Sequence, residues 1–239
     1  MDHEELAQGE REDPVTTREQ DAVRLLLLID NACEDISTAE RADPALIEGV
    51  GVVRTQVRLQ KLDFWLRNPD YLANELLNEY EQSNEKPLLN LASSILDSEE
   101  PEVRRYPMLR HHFGAYEWLD DALAVLRSAG LLVRRRRGTV NRVRQHNYYL
   151  LPAGRRVARE IIEEAPAFTY YVNRARLVVA LADGLGGSEL KRRQYLQAEY
   201  AETPRGDRIG SVASRARDRL DHLRAALATK EEGREEYAR

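Results

Sequence analysis

The sequence predicts a mainly α-helical protein, a helical bundle with one two-stranded hairpin. Only 13 Gly and 9 Pro occur in 239 residues, which favours helices over a fold with many turns. Charged residues make up 32% of the chain, as is typical of helices with long solvated faces. Apolar residues recur at three- and four-residue spacing along most of the chain, whereas strand-like runs stand out only between residues 131 and 151.

An N-terminal helical domain is predicted over residues 17–100, after an acidic and disordered tail over residues 1–16. Its first helix begins near Thr17 as a cap and is apolar on nearly every side over Leu25–Ile29, which indicates deep burial. Three further helices are predicted over about residues 44–67, 69–80 and 87–96.

Residues 101–165 form the most regular pattern. A helix is predicted from Ala115 to Ala129, and Gly130 ends it where a left-handed cap is expected. Two strands follow, separated by a basic turn that contains Gly138, and Pro152 then starts another helix. This order of helix, strand, basic turn, strand and helix is typical of a winged-helix domain, in which the two strands form a protruding wing.

A C-terminal helical region is predicted over residues 166–229, followed by a frayed tail over residues 230–239. Apolar residues from Ile209 to Leu227 alternate at spacings of four and three, as in a short heptad stripe. Two interpretations remain open, a helix that packs on its own domain and a short coiled coil, and the limited length favours the first.

Arginines concentrate on the predicted wing. Residues 104–160 hold thirteen arginines and four acids, a local balance of +9 in a chain whose net charge is −5. Such a hairpin can contact phosphates, or an acidic protein surface; alternatively, its charges protect an exposed strand edge from aggregation. The helix before it carries Glu117, Asp120 and Asp121, which makes it poorly suited to reading a major groove. The candidate DNA-binding residues are Arg134, Arg135, Arg136, Arg137, Arg142 and Arg144.

Composition limits the cellular setting. No run of 18 apolar residues occurs, the N-terminus is acidic, and Cys33 is the only cysteine, so we expect a cytoplasmic protein without membrane contact or intramolecular disulfide.

No residue pattern predicts catalysis. His111 and His112 are adjacent, so on a helix they would point about 100° apart and could not share a metal. The glycines of residues 184–187 lack the lysine of a phosphate loop. Pro69-Asp70 with Glu85-Lys86 is similar to a nuclease pattern, but the spacing is wrong and the setting is helical. We therefore expect neither an enzyme nor a cofactor or metal site.

The most distinctive segment is residues 58–73, RLQKLDFWLRNPDYLA. It resembles the middle components of bacterial ABC-type three-component systems, which include the middle subunit of Lamassu anti-phage defence complexes. The resemblance extends more weakly over residues 20–220, including the helix and arginine strand after Leu119. It implies a subunit without activity of its own that links an SMC-like ABC ATPase to an effector, often a nuclease, and that helps to grip double-stranded DNA.

Within this segment, Asp63, Trp65, Arg67 and Asp70 are candidates for a partner-binding surface. The alternative is that the aromatic residues belong to the core and that the charged residues form caps and local ion pairs. Two other functions compete with the subunit hypothesis. One is a winged-helix transcription regulator that dimerises through the 209–227 stripe, and the other is an enzyme, such as a nuclease, with an unrecognised site.

Overall fold

The computed structural model describes residues 16–100, 108–111, 114–116, 119–139 and 142–237. The fold is mainly helical, as predicted, with two small antiparallel sheets. Its helices are α1 (Arg18–Ala32), α2 (Gln56–Arg67), α3 (Pro69–Ser83), α4 (Lys86–Leu96), α5 (Leu119–Ser128), α6 (Pro152–Glu164), α7 (Thr169–Leu181), α8 (Gly187–Tyr195), α9 (Ala198–Glu202) and α10 (Ala213–Tyr237). Its strands are β1 (Gly51–Val53), β2 (Leu109–His111), β3 (Gly114–Tyr116), β4 (Leu132–Thr139) and β5 (Arg142–Leu150).

Helix α1 begins and packs as its sequence predicts. Thr17 caps it and, together with Gln20, completes a capping box that satisfies backbone donors of the first turn. The residues of Leu25–Ile29 are all buried. Helix α1 packs against α5, α6 and α7, which explains why its apolar surface extends almost around the helix.

The helix predicted over residues 44–67 is wrong in its first half. Short 3-10 turns at Glu40–Ala42 and Pro44–Leu46 lead instead into strand β1, and α2 starts only at Gln56. Gly51 explains part of this difference, because a Cβ atom there would lie 2.5 Å from the Cβ of Cys33. The close approach of the two segments allows Val52 to exchange backbone hydrogen bonds with Glu34.

The larger sheet has the strand order β1-β5-β4. Val52 pairs with Tyr149, and Val133 pairs with Tyr149 from the other side, so β5 is the central strand. Strand β1 was not predicted, because three residues are too few to show an alternating pattern. The smaller sheet pairs β2 with β3, although residues 115 and 116 were predicted to be helical.

The larger cluster of buried side chains draws on elements from α1 to α10. One contiguous cluster of buried side chains includes Leu25, Leu76, Leu123, Val178 and Leu220, which come from all three predicted domains. Helix α2 lies deep within it, with every residue from Arg58 to Arg67 buried.

The C-terminal stripe packs on its own chain. Ala216 and Leu220 are buried, Leu223 and Leu227 are partly buried against the same core, and α10 contacts α3 and α4. Helix α10 continues to Tyr237, through most of the segment predicted to be frayed. The predicted disorder of the acidic tail concerns residues that the structure does not describe, apart from Thr16. None of the described helices has the length and apolar character needed to cross a membrane.

Candidate interface on the arginine hairpin

The hairpin formed by β4 and β5 has an apolar base and a basic outer part. At the base, Leu132 pairs with Leu150 and both are buried. Farther out, Arg134 to Arg137 pair in order with Tyr148 to Gln145. The register shifts between Arg137 and Gly138, where a φ of 149° favours glycine. The buried base therefore anchors an outer segment that carries the four consecutive arginines.

The strand separates these four arginines into two pairs. Side chains alternate between the two faces of a strand, so Arg134 and Arg136 share one face while Arg135 and Arg137 share the other. The contacts agree with this alternation. Arg134 donates to Asp120 on α5 at 3.2 Å, whereas Arg135 contacts Asp43 at 2.6 Å on the opposite side.

Arg135 and Arg137 fasten the hairpin to the segment between α1 and β1. Arg135 donates to both carboxylate oxygens of Asp43, at 2.6 and 3.3 Å, and this hydrogen bonding lowers the pKa of Asp43. Arg137 lies 3.2 Å from Glu40, whose residue is only 7% exposed. These two arginines therefore have a structural role that their position in a basic run did not reveal.

Glu40 connects several elements. Its carboxylate accepts hydrogen bonds from the Tyr149 hydroxyl at 2.8 Å, from Arg54 at 2.9 Å, and from the backbone and side chain of Ser37 at 3.0 and 2.8 Å. Burial alone would raise the pKa of Glu40, but these hydrogen bonds outweigh it and lower the pKa to about 2. Glu40 thus remains ionised at neutral pH and holds β5 and Arg137 in place.

Arg136 differs from the other three arginines of the run. Its side chain is exposed, and no carboxylate of the described residues forms an ion pair with it. Strand β5 also carries Arg142 and Arg144, whose backbone lies in the hairpin but whose side chains fall outside the described part of the chain. We define the open face of the hairpin by Arg134 and Arg136, because it carries Arg136, the arginine of the run that is exposed and has no carboxylate partner among the described residues.

Helix α5 precedes this hairpin and exposes Asp120, Asp121 and Arg127. A groove of about 450 Å³ runs between α5 and β4 and is lined by Ala124, Arg127, Arg134 and Arg135 among others. Asp120 and its neighbour Asp121 lie at the start of α5, beside Arg134, so they weaken the attraction of a phosphate backbone to this side of the hairpin. Arg136, which has no carboxylate partner among the described residues, is thus the arginine of this face best placed to contact an acidic ligand.

The four predicted partner-binding residues are buried. Asp63, Trp65, Arg67 and Asp70 are between 0% and 4% exposed. In this conformation they present no surface to a partner, and their contacts correspond to the alternative of core packing, caps and local ion pairs. An aromatic and arginine-rich segment is compatible with an interface, but the same residue types also serve a buried helix junction.

Asp63 and Asp70 have separate structural partners. Asp63 lies 2.9 Å from Arg24 on α1 and 3.8 Å from Arg67 one turn along α2. Asp70 accepts hydrogen bonds from the Ser211 hydroxyl at 2.7 Å and the Val212 backbone at 3.0 Å. Asp70 therefore ties the start of α3 to the segment that precedes α10.

A buried lysine was missed by sequence reasoning. Lys61 on α2 is fully buried, and its Nζ donates to the Tyr200 hydroxyl at 3.1 Å. The same hydroxyl accepts from the backbone N–H of Ala115. Burial, with a smaller contribution from the charge of Lys191, lowers the pKa of Lys61 to about 7. A lysine within a charged helical sequence gives no signal that it will be buried.

Three sequence candidates remain, namely the cysteine, the glycine-rich stretch and the histidine pair, and the structure describes the surroundings of the first two. Burial raises the pKa of the Cys33 thiol to about 12, so the reactive thiolate is scarce at neutral pH. A Cβ atom at Gly187 would lie 3.1 Å from the Thr55 hydroxyl, so this glycine allows α8 to approach the start of α2. The side chains of His111 and His112 are outside the described set. Among the residues that are described, no three potential ligands cluster as a metal site.

The arrangement can bind an acidic ligand by charge and hydrogen bonding at the open face of the hairpin. Comparison of the chain with family models, with curated proteins and with solved structures finds no match.

Proposed function

We propose that this chain is a non-catalytic, cytoplasmic middle subunit of an SMC-like ABC ATPase defence complex. In that complex it links the ATPase to an effector. It also contacts double-stranded DNA through the open face of the hairpin. The observation that carries the DNA contact is the anchored basic hairpin with an exposed Arg136. The subunit role rests on the resemblance of residues 58–73 to middle components of three-component systems.

We further propose that a winged-helix unit presents the hairpin. Strand β1 adds a third strand beside β5, and α1 packs against both β1 and α5. A small three-stranded sheet with two longer strands at one edge, over packed helices, agrees with that arrangement. The unit combines residues from the first and second predicted domains, since α1 and β1 come from the first.

The buried segment 58–73 has a different part in this proposal. Its charged residues organise the centre of the subunit, where they connect α1, α2, α3 and the start of α10. The partner surfaces are then formed by exposed residues around this centre. The resemblance in this segment thus reflects a shared interior rather than a shared contact.

A transcription regulator is less well supported. The stripe from Ile209 to Leu227 contacts its own core, with Leu220 only 1% exposed, so it offers little surface for a coiled-coil dimer. Asp120 and Asp121 are exposed at the start of α5, the helix that would read bases. The catalytic alternative also gains no support, because Asp70 of the nuclease-like pattern is buried among hydrogen-bond donors.

Affinity purification of the tagged chain from its host, followed by mass spectrometry, tests the subunit role. We expect an SMC-like ATPase and an effector in fixed ratio to the chain. A chain recovered alone, even when all three proteins are co-expressed, would overturn the proposal.

The matched variant Arg134→Ala/Arg136→Ala separates two uses of the hairpin. If the open face contacts DNA, the variant should retain both protein partners. Selective loss of one partner would show instead that the open face contacts an acidic protein surface.

A further inference from the structure

The open face of the hairpin lies near the start of helix α1. Helix α1 begins at Arg18 and packs against α5. The pKa of Arg18 is raised, chiefly by its hydrogen bond to Glu19, and the charge of Asp121 at the start of α5 contributes. Asp120, the neighbour of Asp121, lies 3.2 Å from Arg134. The start of α1, the start of α5 and the open face are therefore adjacent.

The segment that precedes α1 is strongly acidic. Residues 1–15 contain one base, Arg11, and the six acids Asp2, Glu4, Glu5, Glu10, Glu12 and Asp13. A segment of 15 residues can extend at most about 50 Å. It is therefore long enough to reach a neighbouring hairpin. Its charge is opposite to that of Arg136, whereas Asp120 already pairs with Arg134, so Arg136 is the contact that the segment can gain.

The hairpin already binds carboxylates along its length. Asp120, Asp43 and Glu40 each pair with one arginine of the run, at 3.2, 2.6 and 3.2 Å. Arg136 stands between these pairs with an exposed side chain. A fourth carboxylate brought to Arg136 would continue a pattern that the fold itself establishes.

We propose that the acidic segment of residues 1–15 docks through its carboxylates on the open face of the hairpin and competes there with an external polyanion. The docking stands on its own, whereas the competition rests on the proposed DNA contact. Because the segment is tethered, its effective concentration at the hairpin is in the millimolar range, so weak surface ion pairs are sufficient. DNA or an acidic partner must displace the segment from the open face. Only ligands with a high density of negative charge therefore bind there.

The position of the segment is measured by distances between two spin labels. Gln8→Cys and Ala124→Cys place the labels on the segment and in the groove beside Arg134, in a chain carrying Cys33→Ser. We expect a short-distance population at low salt that is lost at high salt, because screening weakens exposed ion pairs. The matched control replaces the six acids by Asn or Gln and should lack this population at any salt concentration.

Two results would overturn the docking. One is the same distance distribution in the parent and in the chain with neutralised acids. The other is a short-distance population that persists in Arg136→Glu, which reverses the charge at the proposed contact and breaks no ion pair of the described residues.

Competition is measured with a 20-base-pair DNA duplex. The chain with neutralised acids should bind the duplex about 5-fold more tightly, or better, than the parent at low salt, and equally at high salt. Equal affinity at low salt would overturn the competition. If neither chain binds DNA, the proposed DNA contact fails, whereas the distance measurement still decides the docking.

Discussion

At the scale of single residues, the charged residues of α2 show that a segment rich in charge can be buried in the core. Asp63 has no exposed surface and lies within 3.8 Å of both Arg24 and Arg67. The sequence was equally consistent with Asp63 on a partner-binding surface and with Asp63 in a buried ion pair, because both would show the same residue types at the same spacing. Only the packing of α1 on α2 distinguishes them, and no signal local to residues 58–73 contains that information.

Asp63→Asn should destabilise the fold. It removes the buried charge that lies between Arg24 and Arg67, although Arg24 keeps its ion pair with Asp21. Removing one partner of a buried pair typically costs about 3–5 kcal/mol. Denaturant unfolding monitored by circular dichroism measures the change. The matched control is Asp30→Asn, which removes a pair of the same 2.9 Å length that is partly exposed, and it should cost at most about 1 kcal/mol. Wild-type stability in Asp63→Asn, together with loss of a partner, would support a binding role instead.

Lys61 gives the fold an unusual dependence on pH. Its pKa is about 7 in the folded chain and 10.5 ordinarily, so between these values the unfolded chain binds a proton that the folded chain does not. Stability should therefore rise with pH, by about 2 kcal/mol between pH 7 and pH 9. The free energy of unfolding at the two pH values measures the effect.

Lys61→Met should remove this rise and stabilise the fold at pH 7, since it fills a similar volume without a charge. Lys86→Met is the control, because Lys86 is 58% exposed, and it should retain the rise. An identical pH dependence in the parent and in Lys61→Met would show that another group is responsible.

At the scale of elements, several helix ends followed from local rules, whereas the first half of the helix predicted over residues 44–67 was wrong and the strands were predicted only in part. Thr17, Gly130 and Pro152 lie where capping and turn preferences placed the ends of α1, α5 and α6, and Gly130 adopts the left-handed φ of 67°. Strand β1 and the pair β2 and β3 were missed, since each has three residues and is stabilised by partners distant in sequence. The sequence also did not predict that Glu40 and Asp43 anchor the hairpin.

Glu40→Gln tests that anchor. Because the pKa of Glu40 is about 2 when folded, its contribution to stability is complete above its ordinary value of 4.5 and is lost as the pH falls toward 2. The substitution should cost about 1.5–3 kcal/mol at pH 7, the range for hydrogen bonds to a charged group, and flatten the loss of stability in acid. Amide hydrogen exchange should become faster in β4 and β5.

Glu48→Gln is the matched control, because it changes an exposed carboxylate in the same segment. Its effect should stay within about 0.5 kcal/mol. Unchanged exchange in the hairpin of Glu40→Gln would mean that the hairpin is held by its base alone.

At the scale of the whole molecule, the mainly helical class was predictable, whereas the way the regions combine was not. The larger cluster of buried side chains includes residues from all three predicted regions, because α1 packs on α5, α6 and α7 and α10 packs on α3 and α4. Composition showed that a basic hairpin belongs to an acidic chain. It did not show that Arg134, Arg135 and Arg137 each pair with a carboxylate of the fold, whereas the exposed Arg136 pairs with none of the described ones.

The salt dependence of DNA binding tests the open face of the hairpin most directly. The affinity for a 20-base-pair duplex is measured over a range of salt concentrations for the parent, for Arg134→Ala/Arg136→Ala, and for Arg156→Ala/Arg159→Ala as a control of equal charge on the exposed side of α6. The hairpin variant should bind more weakly, and the slope of log affinity against log salt should become shallower by about 2, or about 0.9 for each phosphate that an arginine no longer neutralises. The control should retain nearly the parent slope. Equal reductions of affinity in the two variants, or a slope that the hairpin variant leaves unchanged, would contradict a DNA contact at this face.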